Sequence, residues 1–206
     1  MLSKQPQLLD ADFQLVDLSN NQQLKNLFLH IRSTYGFLKI AINNASPKIA
    51  SSGVFSEDTE EQLFDTLLND LRSPALCLKN ELQLMETGGS IVNVTSVNGI
   101  RPAPNVAMYS AAKHGLEGLT RSVALEAIEK GIRVNSIAPG VTWTPRWEER
   151  KANGKPTIRE DVEKLLPIRR FASPSEIVNA IEWLCSDKAS YVVGHTLVVD
   201  GGLSLT

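Results

Sequence analysis

The sequence lacks several features that mark particular classes of protein. Its two cysteines, Cys77 and Cys185, are far apart and show no paired spacing, so we predict two core residues and no redox centre. The three histidines are isolated from one another, which predicts no metal site. The net charge is only -2 and its charges are interspersed, so neither nucleic acid nor an anionic membrane is the expected partner. The expected ligand is therefore a small molecule.

Long apolar runs are also missing. No segment is long enough to cross a bilayer, and the first ten residues have no apolar core of the kind that a secretory signal needs. We therefore predict a cytoplasmic protein with no membrane partner. A chain of 206 residues with 42% hydrophobic content fits one globular domain, and no linker or repeat divides it. Residues 1–206 are predicted to form a single domain.

Short β-type runs alternate with helical patterns along the whole chain. The predicted strands cover 12–17, 38–42, 90–95, 132–138 and 196–200. The predicted helices lie between Ser19 and Gly36, at 57–87 with a bend or division at Pro74, at about 107–130, and at about 175–187. Strict alternation of this kind predicts an α/β fold, a doubly wound parallel sheet with helices on both faces.

Polar or turn-forming residues follow four of the predicted strands, at the end where such sheets bind ligands. They are Asp17, Asn43 with Asn44, Thr95 with Ser96, and Pro139 with Gly140, followed closely by Thr142 and Thr144. At any single exit, turn formation or helix capping is the simpler explanation. All four exits together, with the helix that follows Ser96, predict a binding site.

Tyr109 and Lys113 are four residues apart on a predicted helix and therefore share one face. A nearby ammonium favours the phenolate, which brings the pKa of a tyrosine closer to the neutral range where proton transfer is efficient. Ser96, at a strand exit before this helix, has a hydroxyl that can hold a carbonyl oxygen. The alternative is a surface helix on which the two side chains occur by chance.

Five motifs carry a resemblance to a known family. They are NNAS (43–46), IVNVTS (91–96), YSAAK (109–113), RVNSIAPG (133–140) and VVDGG (198–202). In this order they resemble the short-chain dehydrogenases/reductases, from about Asp12 to Leu203. The resemblance implies a Rossmann-like sheet and reversible hydride transfer between NAD(P)H and a carbonyl or secondary alcohol. It implies that Tyr109 is the acid/base, that Lys113 lowers its pKa and binds the nicotinamide ribose, and that Ser96 orients the substrate.

The same resemblance implies further cofactor contacts and an oligomer. The implied cofactor-binding residues are Asp17, Leu18, Asn44, Ala45, Tyr109, Lys113, Pro139, Gly140, Thr142 and Thr144. It does not decide between NAD and NADP. Residues 141–170 match the substrate lid, in which Trp143, Arg146 and Trp147 either line a pocket or pack on the core. A homo-oligomer, dimer or tetramer, is expected through the last strand and the helices at 57–87 and 107–130.

Two substitutions depart from the family pattern. Ser46 replaces the last glycine of the NNAG motif. Asp70 stands where the family carries a catalytic asparagine, and Asn69 precedes it by one residue. One residue corresponds to about 100° of rotation around a helix, so Asn69 is expected to face elsewhere. Whether Asp70 or Asn69 serves at this position is left open by the sequence.

The largest departure is the missing glycine-rich TGxxxGxG turn, because the first glycine of the chain is Gly36. The segment 12–17 matches the family's third strand, so the first two strands are absent and a hole is expected between 12–17 and 38–42. Met1 is then either an internal methionine with the turn encoded upstream, or a true start. In the second case we predict that residues 1–35 pack poorly or pair differently, and that dinucleotide binding is weak. The alternative function is a catalytically silent fragment or scaffold that acts through protein association.

Overall fold

A computed structural model describes residues 11–154 and 156–206. Its strands are β1 (Leu38–Asn43), β2 (Met85–Val94), β3 (Arg133–Pro139) and β4 (Thr196–Val199), and they pair in parallel in the order β1-β2-β3-β4. The α-helices are α1 (Asn21–Tyr35), α2 (Glu60–Leu67), α3 (Ser73–Leu84), α4 (Ala107–Ala127), α5 (Pro145–Ala152), α6 (Ile158–Glu163) and α7 (Pro174–Cys185).

The sheet has a hydrophobic layer on each face, as the sequence predicts. Successive residues of a strand point to opposite faces. Ile91 of β2 packs in one cluster with Leu78 of α3 and Ala124 of α4. Its neighbour Val92 packs in a second cluster with Ile177 of α7 and other apolar residues. The α/β fold with helices on both faces is therefore confirmed.

Capping residues explain where several helices begin and end. Asn20 caps α1 by accepting hydrogen bonds from two backbone amides, and Gly36 ends that helix with φ of 81°. Ser173 begins α7 with a capping box. The second predicted helix begins later than expected, at Glu60, because Thr59 and not Ser56 provides its capping box.

A π-helical turn separates α2 from α3, where Pro74 was predicted to bend or divide one long helix. The turn covers Leu68–Arg72, and its last amide, that of Ser73, donates to the carbonyl of Leu68. Proline has no amide hydrogen and its ring crowds the carbonyl four residues earlier, so a widened turn before Pro74 relieves that clash. Within this turn, Asp70 faces Lys113 of α4.

The predicted strand at 12–17 is not a strand in the structure. This segment forms no strand pairing with another described residue, and Phe13 and Leu15 are 85% and 91% exposed. A strand needs a partner for its backbone hydrogen bonds, and the described part of the chain offers none beside β1. The expected hole is consequently wrong too: the four strands are contiguous, and β1 is an edge.

Residues 1–35 were predicted to pack poorly or to pair differently, but helix α1 within this range is packed. Leu24 and Phe28 are buried against Cys77 and Leu84 of α3. Poor packing is therefore confirmed only for the segment from 11 to 17, while residues 1–10 lie outside the described residues. Cys77 is buried and Cys185 half-buried, both as free thiols.

Within the residues that the structure describes, no helix is long and apolar enough to cross a membrane. The same residues contain no group of three or more side chains arranged to hold a metal ion.

Candidate active site

The strand exits open into one cavity of about 590 Å³. Its wall includes seven of the eleven predicted catalytic and cofactor-binding residues: Asn44, Ser96, Tyr109, Lys113, Gly140, Thr142 and Thr144. Because the carboxyl ends of parallel strands meet at one edge, residues far apart in the sequence converge there. The predicted convergence of strand exits is thus observed for β1, β2 and β3.

Tyr109 lies in the first turn of α4 and Lys113 one turn later. The Lys113 Nζ is 5.4 Å from the centre of the Tyr109 ring. The loop that carries Ser96 packs tightly on this helix, since a Cβ atom at Gly99 would lie only 3.0 Å from the Lys113 carbonyl oxygen. Glycine at position 99 therefore allows the close approach that brings Ser96 to the phenol of Tyr109.

The ammonium of Lys113 is bound by a carboxylate. Its Nζ is 3.1 Å from Oδ1 of Asp70, and the two side chains are 2% and 1% exposed. The hydroxyl of Ser46 donates to the same Oδ1 at 2.7 Å. Asn69 instead donates its amide to the carbonyl of Asp65. The π-helical turn thus directs Asp70, and not Asn69, into the site.

The environment of Tyr109 differs from the one expected. Burial raises the pKa of Tyr109, hydrogen bonding with Ser96 lowers it, and the Asp70 carboxylate raises it again. Two smaller effects lower this pKa, the charge of the Arg146 guanidinium and a hydrogen bond with Ser46. The net result is a raised pKa, so the phenol is protonated at neutral pH.

A second buried carboxylate fixes the strands beneath the cavity. Glu117 of α4 accepts hydrogen bonds from the hydroxyls of Thr95 at 2.5 Å, Ser136 at 2.7 Å and Thr196. These three residues belong to, or directly follow, β2, β3 and β4. Glu117 therefore connects the helix that carries Tyr109 to three neighbouring strands of the sheet.

Four of the predicted cofactor residues lie away from this cavity. Pro139 pairs with Val199 in the sheet. Asp17 accepts hydrogen bonds from the backbone and hydroxyl of Ser19, as in a turn that leads into a helix. Asp17, Leu18 and Ala45 line another cavity of about 290 Å³, together with Asn69 and Ser73.

The lid residues divide between the two roles that the sequence left open. Trp143 packs edge-on against Phe171 at 4.9 Å and is a packing residue. Trp147 also contacts Phe171, at 5.1 Å, but it lines the main cavity as well. Arg146 lines the cavity and donates to the carbonyl of Ser46 at 3.2 Å.

Sequence reasoning missed the contact between Ser46 and Asp70 and the electrostatic role of Arg146. The signal for the first was present, because these two residues are the positions that depart from the family motifs. Their contact joins a loop after β1 to the π-helical turn, across 24 positions. For Arg146 the sequence offers no signal beyond its place in a polar lid.

Comparisons with known proteins identify the family of the chain. The family model described as enoyl-(acyl carrier protein) reductase matches residues 3–204. A short chain dehydrogenase/reductase, astE, of Aspergillus oryzae is 37% identical over 198 residues, which are 94% of this chain and 75% of the relative.

Two solved structures are also similar. The crystal structure of levodione reductase has a TM-score of 0.86 and 34% identity, covering 94% of this chain and 77% of that one. The structure of L-sorbose reductase from Gluconobacter frateurii, complexed with NADPH and L-sorbose, has a TM-score of 0.85 and 28% identity, covering 93% and 76%.

Proposed function

The chain belongs to the short-chain dehydrogenase/reductase family of NAD(P)-dependent oxidoreductases, and from this premise we propose the reaction. It transfers a hydride between a nicotinamide cofactor and a carbonyl or secondary alcohol, with Tyr109 as general acid and base. One observation carries the proposal: the Tyr109 phenol lies beside Ser96, on the wall of the cavity at the strand exits. A single proton donor next to a hydroxyl is the arrangement that carbonyl reduction needs.

The residues on this wall fit the nicotinamide and ribose half of the cofactor. Asn44, Thr142 and Thr144 offer amide and hydroxyl groups, and Lys113 brings an ammonium to the same cavity. A bound nicotinamide supplies the hydride in reduction and accepts it in oxidation. Fewer groups are available to bind the pyrophosphate half of the cofactor. No glycine precedes Gly36, and the segment from 11 to 17 is largely solvent-exposed.

Each catalytic side chain has a distinct role in this proposal. The hydroxyl of Ser96 holds the substrate oxygen, and Tyr109 donates its proton to that oxygen as the carbonyl becomes an alcohol. In the reverse direction the phenolate accepts the proton. Lys113 would contact the ribose of the bound cofactor. Its positive charge near Tyr109 is reduced by the ion pair with Asp70.

We also propose a homo-oligomeric, cytoplasmic enzyme. The two helices through which relatives of this family assemble carry exposed apolar side chains here: Phe64 of α2 is 63% exposed and Leu125 of α4 is 73% exposed. Contact between copies would cover this apolar surface. The free thiols of Cys77 and Cys185 are compatible with a reducing compartment.

Substitution of the catalytic tyrosine tests the reaction. We expect Tyr109→Phe to lower the rate of NAD(P)H-dependent ketone reduction by about 10²- to 10⁴-fold, because it removes only the proton donor. The matched control is Tyr191→Phe, which changes a fully exposed tyrosine. The measurement is NAD(P)H absorbance with a panel of ketones. Equal rates for both variants and the unsubstituted chain would mean that Tyr109 is not the acid.

The second candidate is a silent scaffold that acts through protein association. The observation that favours it is the edge strand β1, where Ile40 and Ile42 are 47% and 49% exposed. The two candidate functions differ in the role of Tyr109. The enzyme needs its phenol, whereas a scaffold does not. An association state that Tyr109→Phe leaves unchanged, together with no ketone reduction under any condition, would favour the scaffold.

A further inference from the structure

The two positions that depart from the family motifs contact each other. Ser46 stands where the motif has glycine, and Asp70 where it has asparagine. The Ser46 hydroxyl donates to Asp70 Oδ1 at 2.7 Å, and the same oxygen is 3.1 Å from Lys113 Nζ. Glycine has no hydroxyl, and an asparagine amide carries no charge, so neither family residue could form this network.

Several charged and polar groups surround the Tyr109 phenol. Lys113 approaches from its own helix, Asp70 from the π-helical turn, and Arg146 from α5. The hydroxyls are those of Ser96, after β2, and Ser46, after β1. Because Asp70 and Lys113 form a buried pair, their charges largely cancel at the phenol, and the exposed Arg146 is the remaining cation.

We propose that Asp70, held by Ser46, is a positioning residue that binds the charge of Lys113, keeps Tyr109 protonated, and so adapts the site to carbonyl reduction. This inference rests on the proposed function, since it assigns a direction to the same reaction. Reduction needs the neutral phenol as proton donor, whereas alcohol oxidation needs the phenolate as base. A neutral amide at position 70 would leave the Lys113 ammonium free to stabilise the phenolate.

The physical reason is the burial of the pair. Charges interact more strongly away from water, and an opposite charge within about 4–6 Å shifts a pKa by roughly 1–3 units. The Asp70 carboxylate raises the pKa of Tyr109, after burial, which is the largest cause. Ser46 fixes the carboxylate oxygen that faces Lys113, and its own hydrogen bond with the phenol is the smallest of the effects on the pKa of Tyr109, in the lowering direction.

The test is a tyrosine titration that needs neither cofactor nor substrate. Ultraviolet absorbance reports phenolate formation in the full chain, and subtraction of the Tyr109→Phe curve isolates Tyr109. We expect Asp70→Asn to lower its titration midpoint by about one pH unit or more. Adding Lys113→Met to Asp70→Asn should reverse most of that shift, since the freed ammonium causes it. The matched control, Asp65→Asn, changes an exposed carboxylate on α2 and should leave the midpoint unchanged.

A midpoint in Asp70→Asn equal to that of the unsubstituted chain would overturn the inference. If circular dichroism shows that Asp70→Asn is unfolded, the unsubstituted chain gives the second measurement. Its reduction rate should then stay constant into the alkaline range while its oxidation rate rises with pH, and the opposite pattern would overturn the inference. A shifted midpoint without activity on any ketone would count against the proposed function alone.

Discussion

At the scale of single residues, Glu117 joins three strands of the sheet to α4 below the site. Glu117 is 1% exposed, and its carboxylate accepts hydrogen bonds from three hydroxyls on or directly after three different strands. Removing a buried acceptor costs about 1–3 kcal/mol for each donor that it leaves unsatisfied. Thr95 and Ser136 also have the Ile137 carbonyl and the Thr196 hydroxyl within hydrogen-bond distance. We therefore expect Glu117→Ala to lower the free energy of unfolding by about 1–3 kcal/mol, and Glu117→Gln to lower it less.

Urea denaturation followed by circular dichroism measures this effect. Glu126→Ala is the matched control, because Glu126 lies on the same helix and is exposed. Surface substitutions of that kind change stability by about 0.5 kcal/mol or less. Equal midpoints for the two alanine variants would show that the hydroxyls find other partners when Glu117 is missing.

The residues of the site were predictable to different degrees. Ser96, Tyr109 and Lys113 follow from spacing and motif, and the structure brings all three to one cavity. The state of the phenol was not predictable, because it depends on Asp70 and Arg146, which approach from other elements. Spacing along one helix identifies which side chains share a face. Spacing does not reveal which charged side chains of other elements lie next to that face.

At the scale of elements, the contact of α3 with the edge strand β1 contains a buried carboxyl group with an unusual pKa. Asn43 of β1 donates its amide to Glu81 Oε2 at 2.9 Å, and Glu81 is 6% exposed. Burial raises the pKa of Glu81 from 4.5 to about 7, against a smaller lowering by the Asn43 amide. The folded chain therefore binds this proton more tightly than the unfolded chain does.

The sign of the pH dependence follows from this difference. Between pH 4.5 and about 7 the folded state holds more protons at Glu81, so its contribution to stability falls as the pH rises. We expect Glu81→Gln to stabilise the chain at pH 8, by at most about 3 kcal/mol, and to have little effect near pH 4.5. Thermal denaturation of both proteins at the two pH values measures the difference.

Other carboxylates change the stability with pH in the opposite direction. One is Glu176, whose pKa is lowered to about 2 by hydrogen bonding to Arg170. Their contributions cancel when the variant is compared with the unsubstituted chain at the same pH. Glu61→Gln, at an exposed site on α2, is the control. A gain from Glu81→Gln that is the same at both pH values would contradict the assignment to Glu81 ionisation.

The helices α5 and α6 of the lid were not predicted, and the predicted strand at 12–17 does not form, but the ends of other helices were predictable for a physical reason. A helix satisfies its backbone hydrogen bonds within its own segment, so local signals such as Gly36 and Ser173 locate its ends. A strand depends on a neighbour that can be far away in the sequence. The run at 12–17 has the composition of a strand, but the described residues provide no partner for it.

At the scale of the whole molecule, the two halves of a nicotinamide dinucleotide meet unequal surroundings. The cavity at the strand exits offers amide, hydroxyl and ammonium groups to the nicotinamide and its ribose. On the other side, Asp17 uses its carboxylate to hold Ser19, and the chain before Gly36 has no glycine that could form a pyrophosphate-binding turn. We therefore expect most of the binding energy available to residues 1–206 to lie on the nicotinamide side of the cofactor.

We expect purified 1–206 to bind NADH and NADPH only weakly, with affinities within about tenfold of that for reduced nicotinamide mononucleotide. Each lost hydrogen bond to a charged pyrophosphate is worth about 1.5–3 kcal/mol, so losing two weakens binding by roughly 10²-fold or more. Nicotinamide fluorescence during titration measures all three affinities. Lys113→Met, which removes an ammonium from the ribose side, should weaken the dinucleotides and the mononucleotide by the same factor. Binding of NADPH a hundredfold tighter than that of the mononucleotide would show that the chain holds the adenylate half by residues outside this cavity.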